Sequence, residues 1–242
     1  DMAIPKGTWY GNIFVMLRQL LVFTKPITNQ IYDGGVNLYC GMLVILTMFL
    51  YLFVKEHPWK KFRKYVLLVL LVISFNHQTL NYIWHGMHDQ YGIPNRFSFV
   101  FIFVLLIMAY DAVQKVAEID ICFVISSVLL AVAFVFACRQ QAGDTIQKFT
   151  VPVSLAMLVI YGVTCCLRTS KKITHATYIS VIGSVCLVEL VANAAYGFMD
   201  NGYCHYMQYY ETSPAVTAAN VRVRELAEEE QAGFYRSELM NY

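Results

Sequence analysis

The sequence is short of charge. Only 14% of its 242 residues are Asp, Glu, Lys or Arg, while 58% are hydrophobic, and an ordinary soluble domain carries about a quarter charged residues. A chain so composed is expected to have lipid as its solvent. The net charge of +2, with no lysine-arginine block beside stacking aromatics, leaves no footprint for a nucleic acid. Seven cysteines are present without any CxxC spacing. Cys40, Cys122, Cys138, Cys165, Cys166 and Cys186 lie in or at the ends of apolar runs, and only Cys204 stands in a clearly polar segment. No disulfide framework or zinc pattern follows from that distribution. Internal repeats and low-complexity tracts are also missing, which leaves a duplicated transporter architecture without support. Asp1 is not followed by the basic, apolar and small-residue sections of a signal peptide, so the chain is expected to be a piece of something longer.

What the sequence does have is long apolar runs, near 36 to 54, 65 to 84, 96 to 114, 119 to 138, 149 to 167 and 173 to 198. Each approaches the roughly 20 residues that cross a hydrocarbon core. They lack the alternation of barrel strands, and in lipid the backbone must satisfy its own hydrogen bonds, so helices are the physical choice. The expected fold is all-α, a polytopic transmembrane bundle of about six spans. Lys55, Lys60, Lys61, Arg63, Lys64, Lys115, Arg168, Lys171 and Lys172 fall in alternate connections, against only Arg96, Arg139 and Lys148 in the others. That bias makes the basic connections cytoplasmic. The connection from Asn81 to Phe99, the loop 139–148 and both chain ends are then expected outside.

Three regions result. Residues 1–35 contain Ile13, Phe14, Leu17, Leu20 and Leu21 at helical spacing, interrupted by Arg18 and Gln19. This is expected to be an outer interfacial or re-entrant helix, with a soluble amphipathic helix as the alternative. Residues 36–198 form the membrane region. From 199 to 242 the composition turns polar, as expected for the beginning of an extracytoplasmic C-terminal domain.

Polar side chains gather at the outer rim. Ser74, His77, Asn81, His85 and His88 recur at intervals of three or four and would share one face of a continuous helix. Either they bond to neighbouring helices and wet headgroups, or they join Arg96 in holding a phosphate or pyrophosphate group. Pro94 and Asn95 precede the third run, so Arg96 is expected near a helix N-terminus, where dipole and charge both attract an anion. The alternative is an arginine that anchors the span at the interface. His85 and His88, with Asp89 and Tyr91 nearby, have an HxxH spacing, but no third histidine outside completes a metal site. No cofactor is assigned, and a divalent metal has no support. Within the sixth run, Glu189, Asn193 and Tyr196 share a side. A carboxyl group at that depth must be paired, protonated or wet, so it serves either packing or a substrate or proton path. Asp111 and Lys115, four residues apart near the cytoplasmic end of the third run, read as a surface pair or anchor.

The stretches VNLYCG, VISFN, NYIWHGMH followed by GIPNRFSF, VELVANAAY and GFYRSE together resemble the YfhO family of bacterial polytopic membrane proteins. The resemblance covers most of the chain, and WHG followed by PNRFSF is its most specific part. Family members are similar to the GT-C glycosyltransferases and are implicated in glycosylating cell-envelope polymers such as lipoteichoic acid outside the membrane. The resemblance therefore implies a bacterial multi-pass membrane protein, of which this chain is the central to C-terminal portion. It also implies transfer of a sugar from a polyprenyl-phosphate-linked donor to a polymer acceptor. The acidic residue such enzymes use lies in an early outer loop, which is absent here, so neither Asp1 nor Asp89 is assigned as a base. Arg96 would pair with the lipid phosphate, and His85, His88 and Asn81 would donate to phosphate or sugar. The rivals are a transporter or lipid flippase using Glu189, Asn193 and His77, and a noncatalytic membrane scaffold.

Overall fold

A computed structural model describes residues 7–27, 35–88, 95–142, 146–201 and 214–229. The chain divides into two compact units, Asp1–Asn201 and Gly202–Tyr242. The described residues of the first unit form eight helices: α1 (Ile13–Leu17), α2 (Met42–Leu50), α3 (Pro58–Asn76), α4 (Gln78–Trp84), α5 (Ser98–Lys115), α6 (Ile121–Ala142), α7 (Thr150–Thr169) and α8 (His175–Asn201). The second unit contributes α9 (Pro214–Glu229), a polar helix with an Arg222–Glu225 ion pair at 2.9 Å.

Among the described residues, four helical stretches are long and apolar enough to cross a membrane: Ser98–Glu118, Ile121–Gln141, Thr150–Thr169 and His175–Met199. Their sides expose Leu129, Phe136, Val163, Leu187, Val188, Val191 and Phe198. Such a coat has no place in water and suits lipid. Hydroxyls within the helices, including Thr47, Ser126, Ser127 and Thr164, donate to carbonyls one turn back, which pairs their protons inside the helix.

The first two apolar runs behave differently from a plain span. Residues 35–41 are not helical, and the helix that follows covers only Met42–Phe53 with its terminal 3-10 turn. At 1.5 Å per residue that is roughly 18 Å, short of a core of about 30 Å. α2 is the central helix of the bundle, packed against α5, α6 and α7. Every residue from Met42 to Thr47 is buried, which is why the run is apolar on all sides.

The second run is broken. α3 ends at Asn76, His77 is extended at φ −111° and ψ 119°, and α4 resumes at Gln78. At the break Trp9 and His77 form an isolated antiparallel bridge. The Tyr10 amide donates to the Asn76 carbonyl at 2.9 Å and the Gln78 amide to the Thr8 carbonyl at 3.0 Å. The Asn76 side chain accepts from the Gly11 amide at 3.1 Å and donates to its carbonyl at 2.8 Å. The backbone groups released by the break thus find partners in residues 8–11, as burial away from water requires. After this segment α1 packs on α6, with Leu20, Leu21 and Val22 buried in the core.

The basic connections gather at one end of the bundle. Lys64 Nζ contacts Asp111 Oδ2 at 2.8 Å, Phe53 stacks on Phe123 at 4.5 Å, and Thr169 Oγ1 donates to the Val116 carbonyl at 3.0 Å. Asp111 is therefore paired across helices with Lys64, not one turn along α5 with Lys115. Lys64 Nζ also donates to Tyr51 Oη at 2.7 Å, and the Tyr51 hydroxyl donates to Glu56. Burial pushes the Glu56 carboxyl up, but the Tyr51 hydrogen bond and the Lys64 charge outweigh it and leave the group below its ordinary value. At the opposite end, Asn12 reaches Gln141 at 3.0 Å and Thr150 reaches the Phe23 carbonyl at 3.2 Å.

Candidate functional site

Two polar clusters stand out, one at the α4–α5 junction and one around Glu189, midway along α8. The first is built on the α4–α5 junction. Asn95 has φ +55°, a left-handed conformation that asparagine tolerates better than most residues. It is fully buried, its Nδ2 donates to the Gly35 carbonyl at 2.9 Å, and its Oδ1 accepts from Asn81 Nδ2. Asn81 is thus a brace joining α4, the start of α5 and the segment before α2; it is 1% exposed. His85 Nδ1 lies 2.9 Å from the Asn81 carbonyl, and its ring meets Phe97 edge-on at 5.8 Å. Its Nε2 is buried without a hydrogen-bond partner among the described residues. Trp84 stacks on Phe97 at 5.1 Å, fixing the end of α4 against the beginning of α5. Arg96 is exposed and stands immediately before Phe97, the N-cap of α5, whose own side chain makes no capping hydrogen bond.

These contacts assign different jobs to residues grouped by the sequence. Asn81 is consumed by bracing. His85 and Arg96 are brought to the same junction, and exposed His88 lies just beyond α4. His77 belongs elsewhere: the break at this residue ends the continuous polar stripe, and its ring packs edge-on against Trp9 at 5.0 Å. Asp89, Tyr91 and Pro94 lie outside the described residues.

The second cluster surrounds Glu189 on α8, 1% exposed. Glu189 Oε1 accepts from Tyr39 Oη at 2.5 Å and from the Met42 amide at 2.6 Å, and Oε2 accepts from Tyr161 Oη at 2.6 Å. Met42 is the first residue of α2, and Gly41 before it has φ +107°, a backbone conformation open to glycine and costly for other residues. No residue of the α2 segment itself caps the helix through a side chain. Glu189 does so from another helix, satisfying an orphan amide and placing a carboxylate at the positive end of the α2 dipole. One turn on, Asn193 Oδ1 accepts from the Phe23 amide at 2.7 Å, and Tyr196 packs against Phe23 at 5.4 Å. With three donors already on its two oxygens, Glu189 is held as a structural acceptor.

The family model described as bacterial membrane protein YfhO matches residues 8–242. The chain belongs to the YfhO family. No curated protein and no solved structure matches it. In this YfhO protein, several of the stretches that carry the family resemblance fall at the two clusters or at the helix break. VNLYCG supplies Tyr39 and Gly41, VELVANAAY supplies Glu189, Asn193 and Tyr196, VISFN supplies Asn76 at the break, and PNRFSF supplies Asn95, Arg96 and Phe97. GFYRSE lies outside the described residues. Tyr39, Tyr161 and Asn95 are the residues that the sequence did not single out for these sites. A tyrosine and a glycine at the mouth of an apolar run, as in YCG, are the local signal that such a capped, buried helix start leaves in the sequence.

Proposed function

We propose that this YfhO protein is part of a membrane glycosyltransferase similar to the GT-C enzymes, and that the α4–α5 junction binds the phosphate of a polyprenyl-linked sugar donor. The observation that carries the reading is the junction itself. An exposed arginine stands just before the N-cap of an 18-residue helix, a phenylalanine that makes no side-chain cap, beside a histidine whose buried Nε2 has no partner among the described residues. Helix dipole, guanidinium and imidazole all favour a dianionic oxygen cluster. The positive-inside bias assigns this end to the outer face, where lipid-linked sugars are the available donors and a cell-envelope polymer such as lipoteichoic acid is the acceptor.

In this mechanism Arg96 neutralises charge that grows on the phosphate as the glycosidic bond breaks, and His88 donates to its oxygens; His85, whose Nδ1–H faces the Asn81 carbonyl, donates through Nε2 only as an imidazolium. A preorganised arrangement stabilises the leaving group without reorganisation during the reaction. The catalytic carboxylate would come from another part of the full-length protein. Sugar transfer by full-length protein carrying Arg96→Ala is expected to fall by about 100-fold, the scale of losing one preorganised donor. Arg96→Lys should retain part of the rate, because the charge survives and the fork does not. Full activity in both variants would remove Arg96 from the mechanism.

The transporter reading needs Glu189 to take up a substrate or a proton, and its contacts with Tyr39, Tyr161 and Met42 argue instead for fastening α2, α7 and α8. The break at His77 is the feature that favours transport, since interrupted helices line many substrate paths. Uptake of a labelled lipid into liposomes that depends on His77 would revive it.

A further inference from the structure

A groove of about 350 Å³ runs between α3 and α5 at the basic end of the bundle, lined by Lys60, Arg63, Lys64, Leu67, Val104 and Ile107. Its chemistry is divided by depth. Lys60, Arg63 and Lys64 lie on one face of the first turns of α3, while Leu67, Val104 and Ile107 continue the groove toward the bundle centre. Trp59 and Phe62, both exposed and in edge-to-face contact at 5.6 Å, flank the cations. Exposed aromatics of this kind fix the depth of a helix at the headgroup level of a bilayer. Lys64 is committed to Asp111 at 2.8 Å. Among the described residues, no carboxylate lies within ion-pairing distance of Lys60 or Arg63. The groove therefore offers two uncompensated positive charges at headgroup depth and a purely apolar wall at acyl-chain depth.

We infer that this groove is a binding site for an anionic diacyl phospholipid of the leaflet on the basic side, its phosphate held by Lys60 and Arg63 and one acyl chain lying along Leu67, Val104 and Ile107. Charge complementarity selects an anionic headgroup, since a zwitterionic lipid brings no net charge to offset the pair. A soluble anion would engage the cations and leave the apolar wall unused. The site lies at the other end of the bundle from Arg96 and does not depend on the reaction proposed there.

The test uses delipidated full-length protein in detergent, with phosphatidylglycerol and phosphatidylcholine as probes and native mass spectrometry counting the bound lipid. Phosphatidylglycerol should bind in preference. The double variant Lys60→Gln/Arg63→Gln should weaken that binding by roughly 25-fold, the scale of two basic residues at a membrane surface. A charge-matched control, Lys55→Gln/Lys171→Asn, should leave it unchanged. Ile107→Trp, an exposed position where a larger side chain fills the groove without touching a charge, should also reduce binding. Equal losses in the control and the double variant would mean a diffuse charge effect and overturn the site. Unchanged binding in Ile107→Trp, or full displacement of the lipid by equimolar inorganic phosphate, would overturn the lipid as occupant.

Discussion

At the scale of single residues, Glu189 shows how a carboxylate can be kept in an apolar bundle without a cation. Its partners are two tyrosine hydroxyls and a backbone amide, all donors, and the helix dipole of α2 supplies the positive potential. Removing it strands those donors in the buried interior. Glu189→Ala is therefore expected to destabilise the protein by on the order of 3 kcal/mol, and Tyr161→Phe, which removes one donor, by about half as much. Thermal unfolding of the purified variants in one detergent measures both. A neutral Glu189→Ala would contradict the capping role and reopen the question of a mobile proton at this position. Asn95 makes a similar point about legibility. Its position beside Arg96 is plain in PNRF, but its left-handed backbone and its bond to Gly35, 60 residues away, are tertiary facts that no local pattern encodes.

At the scale of elements, the long apolar runs were the readable part. The runs expected at 96–114, 119–138, 149–167 and 173–198 correspond to α5, α6, α7 and α8 within a few residues, because uninterrupted apolar sequence in lipid has one sound backbone solution. The first two runs escaped that logic. Hydropathy reports that Val36 and Leu38 are buried, not whether their segment is helical, and the break at His77 exists because residues 8–11 supply the missing hydrogen-bond partners. The α6–α7 pair adds a packing constraint. A Cβ on Gly162 would sit 2.7 Å from Val128 Cγ2, the end of a side chain that can turn. Gly162→Ala is expected to be tolerated, whereas Gly162→Leu should cost about 1–3 kcal/mol by overpacking. Val128→Ala in the same chain should restore much of the loss. Unfolding midpoints of the three variants check the order, and an undisturbed Gly162→Leu would mean that the two helices part easily.

At the scale of the whole molecule, the positive-inside argument gains a structural counterpart. Contacts between Lys64 and Asp111, Phe53 and Phe123, and Thr169 and Val116 bring the three basic connections to one end. The family membership identifies the chain as a bacterial membrane protein, and the sidedness is open to direct measurement. In a background whose native cysteines are replaced by alanine, Lys55→Cys and Lys171→Cys should react with a membrane-impermeant thiol reagent only after the membrane is opened. Lys148→Cys should react in intact cells. Labelling of all three from the same side would refute the alternating arrangement.

The cap on α2 also sets an order on biogenesis. Met42 and the glutamate that accepts a hydrogen bond from its amide are 147 residues apart, so at translation rates of about 5–20 residues per second the acceptor reaches the membrane roughly 7 to 30 s after the helix it completes. Through that interval the start of α2 must borrow hydrogen bonds from water, lipid headgroups or the insertion machinery. The central helix of the bundle is accordingly the one expected to seat last, drawn in when α8 arrives.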